Sequence, residues 1–477
     1  MAQLSTSTKM LYGLGFSARG IKDGMFQLFL FFYFSQVLGL DAALAGTASV
    51  IALLFDAVSD PLVGLISDKW QSRKWGRRHP FMFASALPLG VFSWLLFAPP
   101  AGLDQSGLFL WLTTFSVLVR LALTFFLVPH ISLGAELTTD YQERTVVTSY
   151  RIMFAAFVSP VIMIIGFLGY FRPTPAHTNG LFNIGAYPDF ALLCGILMVV
   201  SILISAWGTR HVIPTLPQPS EAQLGMSAWK LLGSLGQALR MRAFSMLMLY
   251  VMVIYVGLGI GVVFTTYFIT YYFGLSTTEM ALLPIGSAVG GILALFIAPR
   301  WGRLIDKKWS ALWASILFAL FFTLPYNLRL VGFFPENGSP ALIPLFVGTL
   351  IPAYTFLWVA LSQANSMMAD VVDEFELRTG KRQEGLFFAC MSFAFKCTTG
   401  LGSFIAGLLL NWIEFPRQVE LDEVPARALQ GLGQVGGPIL LTFYLAGITF
   451  ILFYPLTRSK YLYIRKRLDE RHAHAQA

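Results

Sequence analysis

Residues 64–69 read Gly64-Leu-Ile-Ser-Asp68-Lys69, and residues 302–307 read Gly302-Arg-Leu-Ile-Asp306-Lys307. Both fit Gly-x-x-x-Asp-Lys. Each follows an apolar run of membrane-crossing length and opens a short basic turn, so one topological position occurs twice in the chain. The Asp is expected to cap or pair with positive groups of a neighbouring helix, and the Gly to permit close packing. A generic basic turn is the plainer alternative.

Working outward, crossing the hydrocarbon core takes about 20 apolar residues, and that ruler finds about twelve spans. They lie near 12–38, 43–66, 81–99, 107–129, 147–170, 188–208, 243–273, 281–299, 309–333, 341–368, 385–411 and 438–457. Composition agrees: of 477 residues 56% are hydrophobic and 12% charged. A soluble domain has about a quarter of its residues charged, and a chain this long needs a large polar exterior in water. Lipid is therefore the expected outer solvent. Alternating segments of about ten residues, the mark of a membrane β-barrel, are absent. The first apolar run is too long for a signal-peptide core and lacks a small-residue cleavage site, so it reads as a retained span.

Topology follows from Lys and Arg. With the N-terminus inside, the inner loops hold Lys69, Arg73, Lys74, Arg77 and Arg78, then Arg300, Arg303, Lys307 and Lys308, then Arg378, Lys381 and Arg382. The tail adds Arg458, Lys460, Arg465, Lys466, Arg467 and Arg471, whereas the outer loops offer Arg172, Arg329, Arg417 and Arg427. This asymmetry puts both termini in the cytoplasm of an inner-membrane protein. It also accounts for the net charge of +8 without nucleic acid. The polar stretch 209–242, with Pro214, Pro217 and Pro219, divides the chain into six spans plus six. The expected organisation is a helix bundle over 1–208, a cytoplasmic loop over 209–242, a second bundle over 243–458 and a tail over 459–477. Two such halves with matching basic turns are the pattern of the major facilitator architecture, in which the solute site lies between parallel repeats at the midplane.

Ionisable residues inside the membrane are costly and point to function. Phe55-Asp-Ala-Val-Ser-Asp-Pro61 places Asp56 and Asp60 four apart in a span, on one helix face. Two carboxylates close together in low dielectric do not both stay ionised unaided. They share a proton or hold a cation such as Na⁺, unless capping or a neighbouring Arg satisfies them. Arg120 and Thr124, also four apart, offer either a neutralising guanidinium or a hydroxyl ligand. Arg151 and Lys396 are partners for the aspartates or donors to a solute. Arg19 is placed inside the membrane, while Lys22, beside Asp23, is expected to snorkel to the interface. In the run Ala369-Asp-Val-Val-Asp373 to Gly380-Lys-Arg-Gln-Glu384, the mixed charges of Asp370, Asp373, Arg382 and Glu384 suggest a cytoplasmic gate whose ion pairs form between the halves in one state; a solvated loop is the alternative. Cys194, Cys390 and Cys397 lie in apolar runs and read as small packing residues. His-Glu-x-x-His, Gly-x-Ser-x-Gly and the Walker A loop are all missing, which argues against an enzyme and against direct use of ATP.

Taken together, several stretches resemble the glycoside–pentoside–hexuronide:cation symporter family of the major facilitator superfamily. They are Tyr12-Gly-Leu-Gly15, Phe55-Asp-Ala-Val-Ser-Asp-Pro61, Ser72-Arg-Lys-Trp-Gly-Arg-Arg-His-Pro80, Tyr150-Arg151, and Ala369-Asp-Val-Val-Asp373 through Lys396. The resemblance implies an all-α fold of twelve transmembrane helices in two pseudo-symmetric bundles. It implies a cation site at Asp56, Asp60 and Thr124, with Ser59 standing where the melibiose carrier has an Asn that ligates Na⁺. It also implies substrate-binding roles at Arg151 and Lys396. Gly20 and Leu127 fall where that carrier has two aspartates that grip the sugar, and Arg19 where it has a Lys. With Arg19, Arg120, Arg151 and Lys396 the inventory turns cationic. The expected function is Na⁺- or H⁺-coupled import of a sugar or glycoside-like solute. The alternative is a symporter or flippase for a lysophospholipid or other anionic solute, since lysolipid symporters are similar to this family. No cofactor beyond the coupling ion and no protein partner is implied; the chain is expected to work as a monomer in the bilayer.

Overall fold

A computed structural model describes residues 4–70, 72, 75–138, 140–175, 177–215, 235–380, 383–398, 400–419 and 421–476. Arg382, Arg73, Lys74, Lys381 and most of the 209–242 connection lie outside the described residues. The helices run in the order α1 (Thr6–Gly15), α2 (Ser17–Met25), α3 (Ala42–Lys69), α4 (His79–Leu96), α5 (Gln105–Glu136), α6 (Tyr141–Ile165) and α7 (Ala186–Gly208). Then follow α8 (Arg242–Tyr267), α9 (Thr277–Met280), α10 (Leu283–Leu304), α11 (Lys307–Leu330) and α12 (Leu342–Thr379). The chain ends with α13 (Glu384–Cys397), α14 (Leu401–Trp412), α15 (Ala426–Gln434), α16 (Leu440–Leu452) and α17 (Arg458–Gln476). Among the described residues there is no β-strand, and eleven helical segments are long and apolar enough to cross a membrane. The predicted first span is not one of the eleven; it folds as α1, α2 and two π-helical turns, Phe26–Leu30 and Tyr33–Val37, and carries Arg19, Lys22, Asp23, Gln27 and Gln36.

Two compact units emerge from the packing. The first comprises Met1–Gly225, Leu275–Ala281 and Ser403–Val424; the second comprises Met226–Gly274, Leu282–Gly402 and Pro425–Ala477. In the first, α3 packs on α5, α4 on α5 and α7, and α6 on α2. In the second, α12 packs on α10 and α11, and α16 on α8 and α11. Helix starts are fixed by local chemistry. Asp41, Asp104 and Asp140 each accept a backbone N–H of the helix they precede, satisfying a donor that has no partner within the helix.

A second repeat, not read from the sequence, appears in the backbone. The turn Tyr33–Val37 is followed by Gly39 at φ +79° and the N-cap Asp41. The turn Phe268–Tyr272 is followed by Gly274 at φ +57° and the N-cap Ser276, which closes a capping box with Glu279. Left-handed backbone at both sites is the conformation that glycine adopts without a Cβ penalty.

Two expected boundaries move. The 369–384 region is not a loop: α12 continues to Thr379 and ends where Gly380 turns left-handed at φ +71°. Helix-favouring residues and the i,i+4 pair of Glu374 with Arg378, 2.5 Å apart, carry it onward. The predicted span 385–411 matches one membrane-crossing segment, Glu384–Trp412, built from α13 and α14. The expected tail is the helix α17, whose Ile464 and Leu468 are buried. Cys194 and Cys397 are buried, Cys390 is partly so, and none forms a disulfide.

Candidate functional site

The first unit carries a two-rung polar ladder between α3 and α5. Asp56 and Asp60 are one turn apart on α3, and Arg120 and Thr124 are one turn apart on α5. Arg120 Nη1 donates to Asp56 Oδ2 at 2.8 Å, and the Thr124 hydroxyl donates to Asp60 Oδ1 at 2.9 Å. Asp56, Arg120 and Thr124 are buried, at 5%, 8% and 4% exposure, while Asp60 is half-buried. The apolar neighbours Leu54, Phe55, Val58 and Leu62 point outward, so only the carboxylate face of α3 turns to protein. The ladder holds two carboxylates and one guanidinium. Ser59 is buried beside it, with its hydroxyl on the backbone oxygen of Asp56 at 3.5 Å. Leu127, three residues beyond Thr124, is partly exposed.

Helix α2 contributes a second charged group. Lys22 Nζ lies 2.6 Å from Asp23 Oδ1 and Arg19 Nε 3.5 Å from Asp23 Oδ2. The expected snorkelling of Lys22 does not occur: it is 8% exposed, held by Asp23, with its ammonium 5.1 Å from the centre of the Phe26 ring. An ammonium that finds a carboxylate inside has no need to reach the interface. Asp23 was not singled out as a site residue, although its i,i+4 spacing from Arg19 carried the signal. Gly20 faces α6 so closely that a Cβ there would stand 2.6 Å from the Ala155 oxygen, which fixes it as a packing position.

Arg151, on α6, is held by aromatic groups. Its guanidinium lies 5.0 Å from the centre of the Phe16 ring and interacts with the Tyr12 hydroxyl. Arg19 approaches the same Phe16 ring at 5.5 Å. Among the described residues no carboxylate pairs with Arg151, and its buried Nε has no hydrogen-bond partner. Lys396 belongs to the second unit, in the last turn of α13, and is partly exposed.

The two Gly-x-x-x-Asp-Lys turns use their aspartates differently. Asp68 pairs with Arg78 at 2.6 Å, and Arg78 also donates to Ser67 and, with Arg77, to Glu136 at the end of α5. Glu136, which binds both arginines, was not picked out in the sequence; Lys69 is exposed. Asp306 caps α11 by accepting the Lys308 N–H and also takes the backbone N–H of Arg458 at 2.7 Å. Lys307 bonds both oxygens of Asp370, at 2.7 and 2.8 Å. Close packing does not explain Gly64, since a Cβ there would meet only Val128 at an ordinary 3.7 Å. At Gly302 the nearest atom is the end of the Gln363 side chain at 3.1 Å. Of the expected gate residues, Asp370 pairs with Lys307 and Asp373 with Arg465 at 3.5 Å; their neighbour Glu374 pairs with Arg378 and Lys460, and all of these pairs lie inside the second unit. Glu384 is exposed at the start of α13.

The family described as MFS/sugar transport protein matches residues 11–458. The chain is 25% identical to the putative glycoside/cation symporter YagG of Escherichia coli (strain K12), over 99% of this chain and 97% of that one. It is also 25% identical to the glucuronide carrier protein homolog of Escherichia coli (strain K12), over 98% of this chain and 96% of that one. The solved structure of the xylose transporter XylE from E. coli, in its inward-open conformation, superposes with a TM-score of 0.61 at 11% identity, covering 97% of this chain and 98% of that one. The relatives are transporters and not enzymes. This chain is a multi-span membrane protein that belongs to the MFS/sugar transport family, in the glycoside–pentoside–hexuronide:cation symporter group of the major facilitator superfamily.

Proposed function

We propose that this protein is a Na⁺- or H⁺-coupled symporter that imports a sugar or glycoside-like solute by alternating access. In this reading two six-helix bundles make a twelve-helix fold with both termini in the cytoplasm. The observation that carries it is the α3–α5 ladder: two carboxylates against one guanidinium inside a membrane span. Two carboxylates one turn apart in low dielectric favour the arrival of a proton or a monovalent cation. Cation binding there favours the state that binds solute, and the linkage is reciprocal, so solute tightens the cation. Arg120 stands as the fixed counter-charge of Asp56, leaving Asp60, with the Thr124 hydroxyl, as the variable rung. The chemistry needs no cofactor beyond the coupling ion.

The test is uptake into proteoliposomes under an imposed Na⁺ or H⁺ gradient, with the glycosides, pentosides and hexuronides as solutes. Wild type is expected to accumulate solute uphill. Asp60→Asn is expected to abolish accumulation while leaving exchange of solute down its own gradient. Undiminished uphill uptake by Asp60→Asn ends the coupling proposal. Running the two gradients separately decides between Na⁺ and H⁺.

One observation favours a solute that carries an anionic group, whether a uronide or an amphipathic lysolipid headgroup. Arg151 has aromatic neighbours and a buried, unpartnered Nε. A guanidinium in that setting suits a planar carboxylate or phosphate. Stronger competition by glucuronate than by glucose is expected, and Arg151→Gln should erase the difference.

A further inference from the structure

The two flanks of α17 are chemically different. Its inner flank is satisfied: Ile464 and Leu468 are buried, Arg465 meets Asp373, and Lys460 lies 3.8 Å from Glu374. Asp306 takes the backbone N–H of Arg458 at the first turn. These contacts fix the helix against the end of α12. The other flank is open. Tyr463, Arg467, Glu470 and Arg471 line, with Leu377 of α12, a cleft of about 620 Å³.

Arg467 and Arg471 are four residues apart, an arrangement in which like charges repel. Arg467 has one acidic neighbour, the exposed Glu470 at 3.6 Å, and donates from Nε to the Tyr463 hydroxyl. Arg471 is positioned by Gly380: its Nη2 stands 2.9 Å from where a Cβ would be, so the glycine that ends α12 also makes room for the guanidinium. The cleft sets two guanidinium forks against the one exposed carboxylate of Glu470, an excess of positive charge that suits a tetrahedral oxyanion. Location supplies the source. The last apolar helix, α16, ends at Leu452 and α17 starts at Arg458, so α17 is the first helix after the last apolar one. Leu462 and Tyr463, 58% and 56% exposed, give α17 an apolar and aromatic edge of the kind that seats at a headgroup layer.

We propose that the cleft formed by Leu377, Tyr463, Arg467, Glu470 and Arg471 binds the phosphate of an anionic phospholipid headgroup through its two arginines, anchoring α17 to the bilayer. The site is separate from the α3–α5 ladder and does not depend on the transport reading. Because the inner flank holds the helix, the outer arginines are dispensable for folding, which makes the proposal testable.

The full-length protein would be placed in nanodiscs of phosphatidylcholine alone or with phosphatidylglycerol, and lipid retention measured by native mass spectrometry. Wild type is expected to retain phosphatidylglycerol selectively. Arg467→Gln with Arg471→Gln is expected to melt like wild type in phosphatidylcholine and to bind phosphatidylglycerol about thirtyfold more weakly, from roughly one factor of five per arginine. Equal retention by the double variant overturns the proposal. Inorganic phosphate at matched concentration is the second arm: if it displaces phosphatidylglycerol mole for mole, the site is one for free anions and the lipid assignment is wrong. Should the double variant misfold, phenylglyoxal modification of wild type decides. Phosphatidylglycerol is expected to slow labelling of Arg467 and Arg471 but not of the exposed Arg417, and unchanged labelling refutes the site.

Discussion

Replacing Arg120 by Gln leaves the Asp56 carboxylate in place without the guanidinium that lies 2.8 Å from it. The two side chains are only 9% and 7% exposed, so water screens neither. Removing one member of such a pair costs about 3–5 kcal/mol, because the other remains buried and charged. Asp56→Asn should cost a similar amount by stranding Arg120. Combining the two removes both charges at nearly constant volume, and the double variant is expected within about 1–2 kcal/mol of wild type. The ladder gives a functional counterpart. Asp56→Asn removes the carboxylate that faces Arg120, and uphill uptake should disappear. Asp56→Asn with Arg120→Gln removes the guanidinium as well, leaving the Asp60 carboxylate for the cation, and part of the cation dependence should return. Denaturant titration of the four proteins in detergent measures the first cycle, and gradient-driven uptake in proteoliposomes the second. Additive stability losses, or a double variant no more coupled than Asp56→Asn alone, would refute the charge-balance reasoning.

Thr124→Ala removes the hydroxyl that donates to Asp60 and is expected to shift the cation dependence of uptake about ten- to a hundredfold, the effect of one hydrogen bond to a charged group, while the melting temperature moves little. Glu136→Gln removes the negative charge that Arg77 and Arg78 share; a loss of about 3 kcal/mol and faster trypsin cleavage at Arg77 and Arg78 are expected. Gly259→Ala drives a methyl group into the Thr398 backbone oxygen, where only backbone movement can admit it; a loss of about 1–3 kcal/mol is expected on melting, whereas Gly64→Ala should be neutral.

The sequence by itself determined that the chain lies in a membrane and where its apolar helices run. Hydrocarbon leaves no choice but to satisfy the backbone within each span, so length and composition suffice. It also exposed Asp56, Asp60, Arg120 and Thr124, since ionisable groups in apolar runs stand out and i,i+4 spacing places them on common faces. Only the tertiary structure decided how those faces meet. That Arg120 binds Asp56 while Thr124 binds Asp60 depends on the axial register of α3 against α5, and no local pattern encodes the offset between two helices. Lys22 was misjudged for the same reason: one residue's neighbours in sequence cannot say whether a carboxylate waits inside or water waits at the interface. The end of α12 and the helical tail were also out of reach. Charged surface helices look like loops when read alone, and the docking of α17 through Ile464, Leu468 and the acids of α12 is settled only when distant segments come together.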